Sequence, residues 1–337
     1  MHAIELTAPG VENLQRTTYA TPLTADRGRV LVRMEAASLN YLDLVVMAGH
    51  YPAAVYPVIP VMDGAGTVVA TGPDVWQVAI GDRVVANCKP RWIAGAGTSA
   101  TAGRGRGVNE PGALVEVADL DASSVVKVPD HLSWEQAASL PVAAMTAWKG
   151  LELASIGPGS TVVLPGTGGL SIYALQLAKA RGARVIITSS SDEKLARARE
   201  LGADETINYR MRPDWVSAVR SMTGGLGADL VMESVGGTHF AQSIAAVRYG
   251  GLVFTVGFVG GTSCTFDLLG LIGNGVRVEA SNGGSVADLT AAVAAISAHR
   301  IQPVIDRTFA IDELADAYSF MAKGAHFGKI AIRLNGW

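Results

Sequence analysis

The feature that most narrows what this chain can fold into is a strand, glycine turn, helix and second strand between Ser160 and Asp192. Residues 161–164 form an apolar run of strand length, and residues 184–188 form another. Between them Ala174, Leu175, Leu177 and Ala178 recur at helical spacing and supply one apolar face. This is a βαβ unit, with two parallel strands and a crossover helix. Gly166-Thr167-Gly168-Gly169-Leu170-Ser171 fills its first turn. A dinucleotide fold needs glycine there for a tight turn, close approach of the backbone to a pyrophosphate, and close helix packing. Backbone N–H groups at the helix N-terminus then face the phosphates. Ser171 stands where the third glycine falls and is small enough to keep that packing. The cluster could also be an ordinary turn of an α/β domain, but the elements on both sides of it favour the nucleotide site.

The chain has 337 residues, too many for one typical core, so two domains are expected. Hydrophobic residues make up 49% and mean hydropathy is +0.28, which excludes a disordered chain. A net charge of −3 provides no electrostatic footprint for nucleic acid or an anionic membrane. The short basic run Arg104-Gly105-Arg106 reads as a solvated loop. No apolar run reaches transmembrane length and the start lacks a secretory signal pattern, so a cytoplasmic protein is expected. Cys88 and Cys264 read as two buried or half-buried thiols rather than a disulfide.

Up to about Leu120 the pattern is of short strands at residues 29–34, 65–70, 83–86 and 113–117, punctuated by glycine and proline. Residues 41–47 carry Leu42, Val45 and Val46 at helical spacing and read as a short helix closed by Gly49. Residues 90–110 have no period and read as a surface lobe. Ser133 and Gln136 are spaced as a capping box at a helix start; Pro141 interrupts that helix, and a second one resumes over 143–153. Beyond the glycine turn, helices at 192–201, 213–223 and 238–247 alternate with strands at 205–208, 229–233 and 252–256. A strand at 276–280, a helix at 286–299, and a final helix and strand after Asp312 complete the chain. The fold class this implies is α/β: a doubly wound parallel Rossmann sheet plus a strand-rich domain.

With these residues placed, the chain resembles the medium-chain dehydrogenase/reductase superfamily, and most closely its zinc-free quinone oxidoreductase-like branch. The landmarks are Asn40-Tyr41-Leu42-Asp43, Gly49-His50-Tyr51-Pro52, Asp63-Gly64-Ala65-Gly66, Gly81-Asp82-Arg83-Val84, Leu140-Pro141, Thr146-Ala147-Trp148, the glycine cluster, Leu201-Gly202-Ala203-Asp204 and His326-Phe327-Gly328-Lys329-Ile330. The resemblance implies a partly open, barrel-like (GroES-like) catalytic domain from residues 1–142 and 287–337, clasping a Rossmann domain of residues 143–286. It also implies a homodimer paired through the sheet end at residues 252–256 and 276–280.

Zinc members of the superfamily hold a catalytic zinc through cysteine, histidine and cysteine. The resemblance sets Asn40, Asp63 and Val142 at those positions, and the lobe holds Cys88 alone. Neither set can supply four nitrogen or sulfur donors, so no metal is expected. Asp43, His50 and Asp63 read instead as a solvated polar cluster. Without zinc to polarise an alcohol or carbonyl oxygen, the favoured reaction is hydride addition to an activated C=C bond, with the substrate's own carbonyl as electron sink.

An NAD-selective site places a carboxylate at the end of the second strand. Here that end is Thr188-Ser189-Ser190-Ser191, with no carboxylate before Asp192. A carboxylate would repel a 2′-phosphate, so its absence admits NADPH as the expected cofactor. By the resemblance Ser190, Lys194 and Tyr209 hold that phosphate, although Lys194 could be a plain helix charge and Tyr209 a strand end. Gly166, Gly168, Gly169 and Leu170 line the pyrophosphate, and Thr146, Val235, Gly257, Gly328 and Lys329 complete the expected contacts.

Three catalytic residues are expected. The resemblance to enoyl reductases turns Tyr51 to the active site, where a phenol hydroxyl can donate to a developing enolate; the alternative is a ring packed on Pro52. Asn40 could orient a carbonyl or water as an amide donor, or merely shape a turn. Asp63 would hold a water or tune a neighbour. The expected activity is NADPH-dependent reduction of enones, enals or quinones. The alternatives are a zinc-free NADP-dependent alcohol/carbonyl oxidoreductase, which needs a replacement acid near Asn40, and an NADPH-binding structural or sensor protein. The loops at residues 51–59, 91–108 and 258–269 shape the pocket and leave the substrate open.

Overall fold

The computed structural model describes residues 1–337. In chain order the first strands are β1 (His2–Leu6), β2 (Leu14–Thr18), β3 (Arg29–Leu39), β4 (Asp63–Thr71), β5 (Arg83–Ala86), β6 (Val117–Asp121) and β7 (Val125–Lys127). After them come β8 (Thr161–Pro165), β9 (Arg184–Ser189), β10 (Glu205–Asn208), β11 (Ala228–Glu233), β12 (Val247–Thr255), β13 (Arg277–Ala280), β14 (Ile305–Ala310) and β15 (Lys329–Arg333). The chain divides into two compact units, residues 1–145 with 283–337 and residues 146–282. The boundaries lie a few residues from those expected.

In the first unit, the sheet runs β14-β15-β3-β4-β5-β7, with β6 added beside β3. Strand β3 organises it. Its apolar run Val30, Leu31, Val32, Met34, Ala36, Ala37 and Leu39 is buried on both faces, as a central strand requires. Its first half pairs with β6 and its second half with β15, both antiparallel, while β4 flanks its other edge. This register sets Ile330 opposite Leu39 and Asp63 opposite Ser38. The end of β3, the start of β15 and the start of β4 therefore meet at one corner, just where Asn40 begins the helix Tyr41–Met47. Phe309, Leu314, Tyr318, Ile330 and Ile332 pack with Val32, Met34 and Leu39 in this unit's core.

The second unit holds a six-stranded, wholly parallel sheet in the order β10-β9-β8-β11-β12-β13. The order reverses between β8 and β11. A doubly wound sheet offers its ligand crevice outside the carboxyl ends of the strands at that point. The helix Gly169–Ala180 leaves the glycine turn directly after β8.

Several expectations are corrected. Residues 113–117 carry only a bridge from Val115 to Ala3, and the strand is Val117–Asp121. The alternation that matters there is buried Ala118 and Leu120 against exposed Asp119 and Asp121, a half-buried strand that an apolar count passes over. Strand β14 and a helix at Leu268–Gly273, where Leu268, Leu269 and Ile272 are exposed, are additions that periodicity does not announce. Arg106 is not solvated: it is 6% exposed and its Nη2 donates to Gly112 O at 2.9 Å. Cys88 is buried, but Cys264 is exposed, on the loop between β12 and the helix Leu268–Gly273. The Ser133 capping box forms as expected, with Gln136 N donating to Ser133 Oγ at 3.2 Å and Ser133 N to Gln136 Oε1 at 3.0 Å. Pro141 sits in a wide π turn, Leu140–Ala144, that runs on into the helix Met145–Leu153.

Candidate active site

At the corner built by β3, β4 and β15, polar side chains are sealed together. Lys329, 4% exposed, donates from Nζ to Leu39 O and to Asn40 Oδ1, both at 2.6 Å. Its ammonium lies 3.8 Å from Asp63 Oδ2. Asn40 Nδ2 donates to that oxygen at 2.9 Å, and Val142 N donates to it at 3.3 Å. Asp43 Oδ2 accepts from Asn40 N, a capping-box contact of the helix Tyr41–Met47, and its Oδ1 accepts from Met62 N. Asp63 Oδ1 is buried with no partner in the chain.

Burial penalises charge on each ionisable group of this corner. It pushes the Asp43 carboxyl up to about 7, with the Asp63 charge adding to the rise. Burial also raises Asp63, against the pull of Lys329 and Asn40, and it lowers Lys329, against the pull of Asp63 and Asp43. The cluster is therefore not the solvated set expected; Asp43 is 2% and Asp63 0% exposed, and only His50 lies at the surface. The same register gives Lys329 partners other than the expected cofactor: it is turned inward to Asn40 and Asp63. Gly328 beside it has φ +81 and a Cβ there would stand 2.5 Å from Val304 O, so glycine is required by packing. Tyr51 is half-buried, and its hydroxyl makes no hydrogen bond within the chain.

A zinc site does not fit these residues. No group of three or more His, Cys, Asp and Glu side chains is placed to hold a metal. The Asp63 carboxylate already faces a buried ammonium, and Asn40 and Val142 contribute an amide and a backbone N–H in place of soft donors.

In the second unit the glycine turn is open where a phosphate would approach. Gly166 has φ +77, and a Cβ built on Gly166 or Gly168 would meet nothing within 4 Å. Gly168 caps the helix Gly169–Ala180 with no side-chain hydrogen bond, so its first N–H groups, including that of Leu170, are left for a ligand. Ser171 is buried and donates to Pro165 O at 2.9 Å, packing the helix against the turn as expected. Ser191 N donates to Ser189 Oγ, and Lys194 N to Ser191 Oγ, which commits two of the three serine hydroxyls. Ser190 alone keeps an unbonded hydroxyl. Asn208 pairs with Ser189 in the sheet, so Tyr209, 41% exposed, emerges beside Ser190, with Lys194 in the helical turn that comes next. The residues present fit an adenine dinucleotide. Thr146 is buried at the start of its helix.

Sequence reasoning missed Glu233. This fully buried carboxylate ends β11 and accepts from Val235 N at 2.6 Å and Gly236 N at 2.9 Å through Oε1. His239 Nδ1 at 2.7 Å and the Ser243 hydroxyl engage Oε2. It fixes the turn that carries Val235. Gly257 comes after β12 against that turn, where a Cβ would fall 1.9 Å from Ser234 O, so no other residue fits. A lone acid closing an apolar strand was the available signal.

Comparison with known proteins agrees with both units. The family described as alcohol dehydrogenase GroES-like domain matches residues 26–130, and that described as zinc-binding dehydrogenase matches residues 169–298. A zinc-type alcohol dehydrogenase-like protein of Schizosaccharomyces pombe is 39% identical over 97% of this chain and 96% of its own. A Sinorhizobium meliloti protein named as an alcohol dehydrogenase superposes with a TM-score of 0.91 at 35% identity, covering 98% of each chain. The quinone oxidoreductase of Coxiella burnetii superposes at 0.79 with 26% identity, covering 99% of each. With a parallel Rossmann sheet, a GroES-like strand domain and this relatedness along its whole length, the chain belongs to the medium-chain dehydrogenase/reductase superfamily, as an alcohol dehydrogenase-like oxidoreductase.

Proposed function

We propose that the protein is a zinc-independent, NADPH-dependent reductase of activated C=C bonds in enones, enals or quinones. The observation that carries this reading is the Asn40, Asp63 and Lys329 corner: where zinc relatives hold metal donors, a buried ammonium and carboxylate face each other. Bound reduced nicotinamide supplies the hydride. The chain's own residues hold it and stabilise charge: the glycine turn and the N-terminus of Gly169–Ala180 take the pyrophosphate, and Ser190, Lys194 and Tyr209 take the 2′-phosphate. The Tyr51 hydroxyl donates to the oxygen on which charge develops. Names of relatives favour a second reading, a zinc-free alcohol/carbonyl oxidoreductase. Anaerobic NADPH oxidation against a panel of enones, quinones, aldehydes and ketones separates the two, and activity is expected to survive dialysis against a strong chelator. Reduction of aldehydes and ketones alone supports the second reading; loss of turnover with a stoichiometric metal overturns zinc independence, and no turnover at all points to a structural or sensing role.

Cofactor preference has its own test. Lys194→Ala should weaken NADPH binding about ten- to a hundredfold, the worth of one charge-assisted hydrogen bond, and leave NADH nearly untouched. Equal losses for both would move the phosphate site elsewhere.

The homodimer belongs to the same proposal. Strand β13 is the unpaired edge of the parallel sheet with Val278 42% exposed, and Leu268, Leu269 and Ile272 on the preceding helix are 60%, 79% and 62% exposed. An open apolar edge invites pairing, and a second copy would cover it. Light scattering at micromolar concentration should give twice the chain mass; a monomeric mass refutes it.

A further inference from the structure

Six charged side chains are buried: Asp43, Asp63, Lys89, Arg106, Glu233 and Lys329. Five have partners. Asp43, Asp63 and Lys329 share the corner at the end of β3, Glu233 holds its turn, and Arg106 donates to Gly112 O. Lys89 is 5% exposed, and its Nζ makes no hydrogen bond and no ion pair within the chain. The side chain is buried while its ammonium has no partner in the chain, so an acceptor oxygen would meet a donor there that nothing else engages.

The surroundings hold this charge in place. Asn87, fully buried after β5, donates from Nδ2 to Lys89 O at 3.0 Å and to Gly284 O at 3.1 Å, and Trp92 N also donates to Lys89 O at 3.0 Å. The side chain runs along Gly283, where an added Cβ would lie 3.5 Å from Lys89 Cγ. It ends at Gly105, where an added Cβ would lie 3.4 Å from Nζ. Two residues on, Gly107 sits on the backbone of Val61 and Met62, and Met62 N is the donor to Asp43. Arg106 N donates to Cys88 O at 3.0 Å, tying the same lobe to the residue before Lys89. The lobe that meets Lys89 at Gly105 thus also meets, at Gly107, the backbone that carries the donor to Asp43. Burial lowers its ammonium from the usual lysine range, which makes it a stronger acid than a lysine in water. The neighbouring Cys88 thiol is pushed up to about 12 and stays protonated throughout.

We propose that Lys89 is a catalytic residue of this reductase, whose ammonium receives the substrate's carbonyl oxygen and protonates it. The proposal rests on the reductase reading. When hydride from the reduced nicotinamide forms the new C–H bond at the β-carbon, the C=C pair moves to the adjoining carbon–carbon bond. The carbonyl π pair moves onto oxygen. Lys89 gives a proton to that oxygen, leaving an enol and a neutral amine that regains its proton from solvent; the enol becomes the ketone in water.

Lys89→Met keeps the length of the side chain and removes the charge. With cyclohexenone, turnover should fall about 10²- to 10⁴-fold while NADPH binding, read by fluorescence, is unchanged. Wild-type turnover should decline as pH rises through the lowered ammonium pKa, because the acid must be protonated, and the variant should lose that limb. A second measurement needs no turnover: with NADP bound, the wild type should favour the phenolate form of para-nitrophenol, lowering its apparent pKa, and Lys89→Met should not. If the wild type reduces cyclohexenone and the variant keeps its turnover and pH limb, the proposal fails and the reductase reading stands. If no carbonyl-conjugated substrate is reduced, that reading fails, and para-nitrophenol still decides: equal titration in both proteins overturns Lys89 as an oxygen site, and unequal titration sustains it.

Discussion

Lys329→Met should destabilise the protein by about 3–5 kcal/mol, because it strands the Asp63 carboxylate in a site closed to solvent. Lys329 is 4% and Asp63 0% exposed, and Asp63 Oδ1 already lacks a partner. For a unit of roughly 200 residues, this corresponds to a fall of about 6–20 °C in the midpoint of its thermal transition. Asn40 also loses the donor to its Oδ1, so its amide is no longer held between Lys329 and Asp63. Replacing both charges, Lys329→Met with Asp63→Leu, should recover much of the loss, since an apolar pair needs no compensation. Calorimetry on the two single variants and the double gives the coupling. Additive losses would mean that the two charges do not sense each other across their 3.8 Å separation.

Tyr51→Phe should leave folding and NADPH affinity close to wild type and lower enone turnover by about 10²-fold, the effect of removing one oxyanion donor. The asymmetry comes from the site. The hydroxyl has no hydrogen bond within the chain, so its removal leaves no orphaned partner, and the ring keeps its half-buried packing. Quinones should suffer less, because a reduced quinone oxygen can be protonated by bulk water after hydride has moved. Steady-state kinetics with an enone and a quinone, beside fluorescence titration of NADPH, provide the check. Unchanged turnover on both would make Tyr51 a packing residue and leave stabilisation of the oxygen to Lys89.

Features controlled by short spacing are legible in the amino-acid order alone. The βαβ unit at Gly166 to Ser171, the Ser133 capping box and the helix Tyr41–Met47 depend on residues within a few positions of each other, and periodicity and glycine placement report them directly. The alternation of strand and helix implies the parallel sheet for the same reason, as crossovers admit one hand and few orders. The landmarks from Asn40 to Ile330 add the superfamily. Charged residues behave otherwise. Arg106 reads as solvated, Lys329 as a cofactor contact, and Asp43 and Asp63 as a wet cluster, since a charged side chain is exposed by default. Their burial is decided by strand register: β3 sets Leu39 against Ile330 and Ser38 against Asp63, drawing together residues almost 300 positions apart. Lys89 shows the same limit in its sharpest form. Nothing near it in sequence says that its side chain is buried; that comes from Gly283 and Gly105, which the fold alone brings to it, and burial there lowers its ammonium from the usual lysine range.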